Sequence, residues 1–240
     1  MTAMLASVRT VEETLLALEG GADIIDLKDP ARGALGALEP DAAGRIVGAI
    51  AGRAPSSATI GDLPSMIPAE VVAAAERTAA TGVNFVKAGF FPAPTQVACA
   101  RALESLARRA PLVAVLFADL HPDFALIETL ARCGFAGAML DTARKNSGPL
   151  LHHLGLDTLA EFVGRAHAAG LFAGLAGSLR EGDVGALLAL DPDYLGFRGA
   201  LCAAARRTGT LDAKAFSDIR AAIPRTSSQH TSRRALGAMT

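Results

Sequence analysis

The chain has 240 residues, 51% of them hydrophobic, so it is long enough and apolar enough to bury the core of one large α/β domain. Its net charge of −1 excludes a global attraction to nucleic acid or to an anionic membrane, and the absence of tryptophan with a single tyrosine removes aromatic platforms for bases. No apolar run approaches the roughly 18 residues of a membrane span, and the N-terminus lacks a signal-peptide pattern, so we expect a cytoplasmic protein.

Short apolar, strand-like segments alternate along the chain with alanine-rich amphipathic stretches. In chain order, strands are predicted at Met4–Val8, Asp23–Lys28, Ser57–Gly61, Phe85–Ala88, Leu112–Phe117, Gly137–Asp141, Phe172–Leu175 and Tyr194–Phe197. Helices are predicted between them at Val11–Leu18, Ala69–Ala80, Pro94–Arg109, Phe124–Arg132, Leu156–Ala169 and Asp183–Leu188. Several of these helices are followed by glycine, which fits the left-handed position after a helix and therefore marks its end.

Eight β/α units with short connections predict a (β/α)8 barrel, the TIM-barrel fold of the α/β class. The alternative is a doubly wound open sheet, which more often has about five or six strands and a glycine-rich dinucleotide turn. The chain contains no GxGxxG sequence. We expect residues 1–224 to form a single barrel domain, and the polar residues 225–240 to form a flexible C-terminal tail.

Lysine is scarce in this chain, with 4 lysines among 23 basic residues. Three of them, Lys28, Lys87 and Lys145, follow strand-like segments, whereas Lys214 lies on a polar C-terminal helix. An amine can lose its proton and attack a carbonyl, whereas a guanidinium stays protonated. This placement of the lysines favours carbonyl chemistry through a Schiff base.

Polar residues share strand faces with two of these lysines. Alternate residues of a strand point the same way, so Asp26 and Lys28 face the interior of the predicted barrel together, and Lys87 does so with Phe85. Asp141 ends a third strand, and residues at the C-terminal strand ends build the active site of this fold. Each polar residue alone also fits a strand end that meets water, but the four together indicate a catalytic cluster.

The turns after strands seven and eight carry a second signal. Gly177 and Ser178 follow strand seven, ahead of a helix that begins near Glu181, and Arg198 and Gly199 follow strand eight. Barrels often bind phosphate at these turns through backbone N–H groups at a helix N-terminus. The glycines let the backbone approach an anion, the serine hydroxyl can donate a hydrogen bond, and the arginine can add charge. Such turns also occur as plain connections, but their position after strands seven and eight predicts phosphate binding.

The remaining candidate ligands do not converge. Cys99, Cys133 and Cys202 are odd in number and widely spaced, which is typical of core residues in a reducing compartment. The five histidines match no metal-ligand spacing, so no metal is expected. We expect a homo-oligomer, although the sequence does not specify the number of subunits.

Six blocks of the sequence are specific enough to indicate a family: Gly20-Gly21-Ala22-Asp23-Ile24-Ile25-Asp26-Leu27-Lys28-Asp29-Pro30 with Gly33-Ala34-Leu35-Gly36, Ser57-Ala58-Thr59-Ile60-Gly61-Asp62, Val86-Lys87-Ala88-Gly89, Ala138-Met139-Leu140-Asp141-Thr142, Leu175-Ala176-Gly177-Ser178 and Gly196-Phe197-Arg198-Gly199-Ala200. They resemble the (5-formylfuran-3-yl)methyl phosphate synthases, which make the furan precursor of methanofuran. The resemblance extends from about residue 4 to residue 222.

The resemblance implies a cofactor-free (β/α)8 lyase that joins two molecules of glyceraldehyde 3-phosphate with loss of phosphate and water. By matching motifs, Lys28 is expected to form the Schiff base, Lys87 to transfer protons, and Asp26, Asp141 and Lys145 to support them. The polar tail departs from the archaeal form. This departure favours a bacterial member that serves methanofuran or an analogue in one-carbon oxidation.

Two alternatives remain open at the level of the sequence. One is another cofactor-free class I, Schiff-base aldolase acting on phosphosugars, and the other is a non-catalytic phosphosugar-binding barrel. Borohydride reduction in the presence of glyceraldehyde 3-phosphate separates the enzymes from the binding protein, because it traps an imine on lysine. Detection of a furan chromophore separates the synthase from other aldolases.

Overall fold

The computed structural model describes residues 1–144 and 146–224. Within these ranges, eight parallel strands pair in sequence order and close into a barrel in which the first strand pairs with the last. The predicted (β/α)8 fold is therefore confirmed. The predicted tail, 225–240, and Lys145 lie outside the described residues. The strands are β1 Ala3–Val8, β2 Ile24–Leu27, β3 Ser56–Thr59, β4 Phe85–Phe90, β5 Leu112–Phe117, β6 Gly137–Asp141, β7 Phe172–Leu175 and β8 Tyr194–Phe197.

Helices surround the barrel and cover the outward-facing, apolar side of the strands. Short 3-10 turns at Pro30–Arg32, Ala118–Leu120, Gly199–Leu201 and Ala203–Ala205 follow β2, β5 and β8. The α-helices are α1 Val11–Glu19, α2 Pro40–Ile50, α3 Pro68–Ala79, α4 Gln96–Ala102, α5 Glu104–Ala107, α6 Leu126–Arg132, α7 Leu150–His153, α8 Leu156–Ala168, α9 Glu181–Leu188 and α10 Ala213–Ala222.

Two helical regions differ from the sequence-based prediction. Helix α2 was not predicted, because Gly44 and Gly48 interrupt its alanine-rich pattern; both glycines face open space, while Ile46 and Ile50 are buried. The single helix predicted at 94–109 is divided into α4 and α5 at Leu103. Its ψ of −9° is a turn value rather than the roughly −42° of a continuous α-helix.

The N-terminal half of the barrel interior is closed by aromatic rings. Phe85 and Phe172 meet edge to face at 5.6 Å between ring centroids, and Phe172 lies 6.1 Å from the ring of Tyr194. A Cβ atom at Gly137 would meet Phe172, and one at Gly174 would meet Tyr194, so glycine at these positions makes room for the rings. Burial and the nearby carboxylates raise the pKa of Tyr194 well above its ordinary value, so this aromatic floor carries no charge.

A cavity of about 900 Å³ opens at the N-terminal end of the barrel and is lined by the same rings. A separate cleft opens at the C-terminal end of the barrel. Leu5 and Lys87 line both the cavity and the cleft, so together with the rings they separate the two. The interior is thus apolar and aromatic toward the N-terminal ends of the strands, and it becomes charged toward their C-terminal ends.

The cysteines were predicted to be core residues, and the structure shows buried free thiols at Cys99, Cys133 and Cys202. Burial raises the pKa of each thiol. Across the described ranges, no three or more His, Cys, Asp and Glu side chains are grouped so that they could hold a metal ion. No helix in the same ranges is long and apolar enough to cross a membrane.

Candidate active site

A cleft of about 710 Å³ opens where the C-terminal ends of the strands meet their connecting loops. The fold brings the predicted catalytic and phosphate-binding residues together here from five different strands or the turns that follow them. The ninth predicted residue, Lys145, lies outside the described residues. The eight that line this one cleft are Asp26, Lys28, Lys87, Asp141, Gly177, Ser178, Arg198 and Gly199.

Asp26 lies fully buried at the bottom of the cleft, and its carboxylate accepts three hydrogen bonds. Lys87 Nζ lies 2.8 Å and Ser57 Oγ 2.6 Å from Oδ1, and Ser7 Oγ lies 2.9 Å from Oδ2. Burial acts to raise the pKa of this carboxyl, but the charges of Lys87 and Lys28 and the hydrogen bonds outweigh it, so the pKa lies below its ordinary value. Asp26 is therefore ionised at neutral pH and forms a buried ion pair with Lys87.

Lys28 lies at the same mouth, two residues beyond Asp26 on the same strand face. Its Nζ is 3.9 Å from Asp141 Oδ2, and the side chain is 9% exposed. Asp141 is oriented by its other oxygen, Oδ1, which accepts the backbone N–H of Thr142 at 2.7 Å. Amines and carboxylates therefore alternate around a cleft that has room for a small carbonyl compound. This arrangement can support an iminium and the proton transfers that follow it.

The loop that follows Lys28 is held in place from the neighbouring strand. Asp62, just past β3, accepts the backbone N–H groups of Ala34 and Leu35 at 2.9 and 3.0 Å. Both of its carboxylate oxygens are used in these two hydrogen bonds, and Asp62 is not among the residues that line the cleft. Its position past a strand end therefore serves the loop rather than the chemistry.

Asp119, just past β5, makes the same kind of clamp on the loop beyond Asp141. Its two carboxylate oxygens accept the backbone N–H groups of Ala143 and Arg144, each at 2.7 Å. The clamp crosses from one barrel strand to the next, as the clamp by Asp62 does. The loop that follows Lys28 and the loop that follows Asp141 are thus each held by a carboxylate from the neighbouring strand.

The turn after β7 has two consecutive residues with a positive φ. Gly177 has a φ of +111°, and the following Ser178, which is exposed, has a φ of +52°. Both values are in the left-handed region that favours glycine. One amide near the start of α9, that of Arg180, donates to Asp183 Oδ2 at 2.8 Å. Phosphate binding at this turn stays a prediction.

Substituting Gly177 by valine tests whether the turn binds phosphate. A Cβ atom there would lie 3.1 Å from Thr142 Cγ2 at the edge of the cleft. We expect KM for glyceraldehyde 3-phosphate, the substrate that the family resemblance implies, to rise by at least about tenfold, a loss of the size of one hydrogen bond to a charged group. The matched control is Gly170→Val, because Gly170 also has a positive φ (+78°) but open space around its Cβ. An equal KM for both variants would contradict phosphate binding at this turn.

Arg198 reaches the mouth, but its guanidinium is committed to protein partners. Nη1 and Nη2 donate to Glu13 Oε2 and Oε1 at 2.6 and 3.0 Å, from the first turn of α1. The other donors bind the backbone oxygens of Ser7, Arg207 and Gly209. All five donors of a guanidinium are therefore occupied. The predicted contact of this side chain with phosphate would require one of these bonds to break.

Arg207 is a cationic side chain of the cleft that was not predicted from the sequence. It follows the last 3-10 turn after β8 and lines the cleft, where burial lowers its pKa. Its Nη1 and Nη2 donate to the backbone oxygens of Pro30 and Gly33, at 2.7 and 2.8 Å, in the loop beyond Lys28. The only sequence signal was the pair of arginines at 206 and 207 in a polar loop.

The fold and this site define a (β/α)8-barrel enzyme that carries two lysine–aspartate pairs at its C-terminal mouth. The sequence profile of the 4-HFC-P synthase family matches residues 4–220 of the chain. Relatives named (5-formylfuran-3-yl)methyl phosphate synthase include one from Methanopyrus kandleri, 36% identical over 83% of this chain and 89% of that protein. A putative member from Methylorubrum extorquens is 45% identical over 87% of this chain and 86% of its own. The chain belongs to this synthase family.

Solved structures of other proteins share the fold. Phosphoribosyl anthranilate isomerase from Thermus thermophilus superimposes with a TM-score of 0.64 at 19% identity, covering 92% of this chain and 98% of that one. A 3-hexulose-6-phosphate synthase superimposes with a TM-score of 0.61 at 18% identity, covering 92% of this chain and 100% of the other. At these identities the similarity extends to the barrel alone.

Proposed function

We propose that the protein is a lyase that condenses two molecules of glyceraldehyde 3-phosphate into (5-formylfuran-3-yl)methyl phosphate. Two triose phosphates supply the six carbons of the product, and one phosphate and two water molecules leave without net redox change. The proposed product serves the biosynthesis of methanofuran or an analogue of it. The 45% identity to the relative from Methylorubrum extorquens supports a bacterial member of the family.

The observation that carries the proposal is the juxtaposition of Lys28, Lys87, Asp26 and Asp141 in one cleft. Two amines at one mouth permit covalent and acid–base roles on the same small substrate. The carboxylates can stabilise the positive charge that each amine carries when it is protonated or converted to an iminium. Family membership supports the same chemistry, because relatives over most of the chain are named as this synthase.

In the proposed reaction, the Lys28 amine adds to a triose carbonyl and water leaves, which forms an iminium. The iminium accepts the electron pair of the adjacent C–H bond when its proton is removed, and an enamine results. The enamine carbon then forms the C–C bond to the carbonyl carbon of the second triose phosphate. Isomerisation, elimination and cyclisation release one phosphate and two water molecules. Hydrolysis of the iminium takes up the water that left when it formed and returns the free amine of Lys28.

Lys87 is proposed to move protons during these steps. Its ammonium lies against Asp26 at the bottom of the cleft, with its side chain 2% exposed, so it reaches reacting atoms rather than bulk water. Asp141 is within 3.9 Å of Lys28 Nζ and can stabilise the iminium. The turn at Gly177 and the cation of Arg207 are proposed to bind substrate phosphate.

Incubation of the purified protein with glyceraldehyde 3-phosphate alone tests the proposed function. We expect a furan chromophore, a product of the mass of (5-formylfuran-3-yl)methyl phosphate, and one inorganic phosphate per product molecule. An aldol adduct without the furan would instead assign the chain to a different Schiff-base lyase. Failure to trap any lysine adduct with borohydride would favour a phosphosugar-binding barrel.

Arg207→Met is expected to weaken phosphate binding, because it removes the cation and keeps the length of the side chain. KM for glyceraldehyde 3-phosphate should rise by about tenfold or more, since charge-assisted hydrogen bonds to phosphate are among the stronger ones. Calorimetric titration with inorganic phosphate should show the same weakening. The adjacent Arg206→Met is the control, because Arg206 is exposed and does not line the cleft. Equal effects in both variants would contradict the assignment.

A further inference from the structure

Three side chains form a row across the first three strands of the barrel. Ser7 on β1 is directly paired with Asp26 on β2, and Asp26 is directly paired with Ser57 on β3. All three are buried and point into the barrel, where both hydroxyls donate to the carboxylate between them. Neighbouring strands lie about 4.8 Å apart, which is the spacing that lets each serine reach the carboxylate from its own side.

The row fixes the plane of the Asp26 carboxylate. Oδ1 accepts both the Ser57 hydroxyl and the Lys87 ammonium, which fills its two lone pairs, and Oδ2 is held by Ser7. Rotation of the carboxylate about its Cβ–Cγ bond would break all three bonds. The side chain is therefore locked in the orientation that faces Lys87.

The same carboxylate has a second lysine nearby. Lys28 lies two residues further along β2 on the same face, and its charge acts on Asp26. An amine held against a carboxylate keeps its proton more firmly and attacks a carbonyl less readily. Lys28 already lies 3.9 Å from Asp141, so the orientation of Asp26 decides whether a second carboxylate also holds the Lys28 amine.

We propose that Ser7 and Ser57 are positioning residues that hold the Asp26 carboxylate on Lys87 and away from Lys28. In this way Asp26 stays paired with Lys87 at 2.8 Å, and Lys28 stays beside Asp141 at the longer distance of 3.9 Å. The catalytic consequence rests on the function proposed above, whereas the effect on the two amines does not. Neither serine was singled out in the sequence, because their contact with Asp26 depends on the register between strands.

Competitive reductive methylation with formaldehyde and cyanoborohydride tests the assignment without the substrate. Each amine condenses with formaldehyde and the imine takes up hydride, so peptide mass spectrometry measures the rate at Lys28 and Lys87 separately, with exposed Lys214 as the internal reference. In Ser7→Ala and in Ser57→Ala, the ratio of labelling at Lys28 to labelling at Lys87 should fall by about tenfold, the equivalent of one hydrogen bond to a charged group. Turnover should fall similarly, with KM unchanged within about twofold.

Ser56→Ala is the matched control. Ser56 is adjacent on β3 and equally buried, but its hydroxyl is 3.0 Å from Asn84 Oδ1 on the opposite face of the strand. Its labelling ratio should stay at the wild-type value, and Ser57→Thr, which keeps the hydroxyl, should recover most of the loss. An unchanged ratio in folded Ser7→Ala or Ser57→Ala, or an equal fall in Ser56→Ala, would overturn the proposal. A shifted ratio in a protein that makes no furan would refute the proposed function and leave this inference intact.

Discussion

Lys28→Arg is expected to lower the turnover of glyceraldehyde 3-phosphate by at least about 10³-fold, more than the loss of an ordinary acid–base group. Arginine keeps the positive charge beside Asp141 and about the same length, but its guanidinium cannot form the imine. Borohydride reduction of the wild-type protein with substrate should add mass to the tryptic peptide that contains Lys28. The same treatment of Lys28→Arg should leave this peptide unmodified.

Lys214→Arg is the control for this experiment. Lys214 is an exposed lysine on α10 that pairs with Asp218 at 2.7 Å and does not itself line the cleft. Its replacement should leave turnover and trapping unchanged. An adduct found only on Lys87 or Lys145 in the wild-type protein would reassign the nucleophile and refute the role proposed for Lys28.

Lys87→Ala is expected to reduce turnover by about 10²–10⁴-fold, the range for loss of a general acid–base group. The Lys28 adduct should still be trapped, since imine formation needs only one amine. The substitution also leaves Asp26 buried without its ion-pair partner, which costs about 3–5 kcal/mol of folding stability. Retention of more than about a tenth of the wild-type rate would limit Lys87 to positioning the substrate and would pass proton transfer to Asp141 or Lys145.

The double variant Asp26→Asn with Lys87→Met separates the catalytic effect from the effect on stability. It removes both charges of the buried pair at similar volume, so the melting temperature should recover relative to Lys87→Ala. Turnover should not recover, because the Lys87 amine that is proposed to move protons is absent. Recovery of both properties together would show that Lys87 acts only through the stability of the barrel.

The strands could be predicted from the sequence because each is a short apolar run, bounded by glycine or charged residues that mark its ends. The run from Ile24 to Leu27, for example, is preceded by two glycines and followed by charge, and the predicted boundaries differ from the structure by one residue at each end. The third strand was predicted to reach Gly61 but ends at Thr59; Gly61 has a φ of +98°, which a strand does not adopt. Local pattern thus predicts the strands well, whereas α2 and the division between α4 and α5 were missed.

Contacts between distant elements could not be predicted in the same way. Arg198 was expected to face phosphate, because a cation after strand eight fits that role. Its bond to Glu13, 185 positions away, depends on how α1 packs beside the closing strand, and the acidic first turn of α1 resembles an ordinary helix start. The same reason explains why Ser7, Ser57 and Arg207 were not predicted as site residues. Their hydrogen-bond partners are set by strand register and loop packing.

The aromatic floor of the barrel limits how the substrate range of this enzyme can be redesigned. Because Phe85, Phe172 and Tyr194 fill the interior below the lysines, a longer or branched aldehyde cannot be accommodated by deepening the cleft without joining the two cavities. Extra atoms must instead project outward from the cleft, away from the aromatic floor. Libraries for bulkier aldehydes are therefore best placed in loops of the mouth that carry no proposed catalytic or phosphate-binding residue, while the lower halves of the strands are left unaltered.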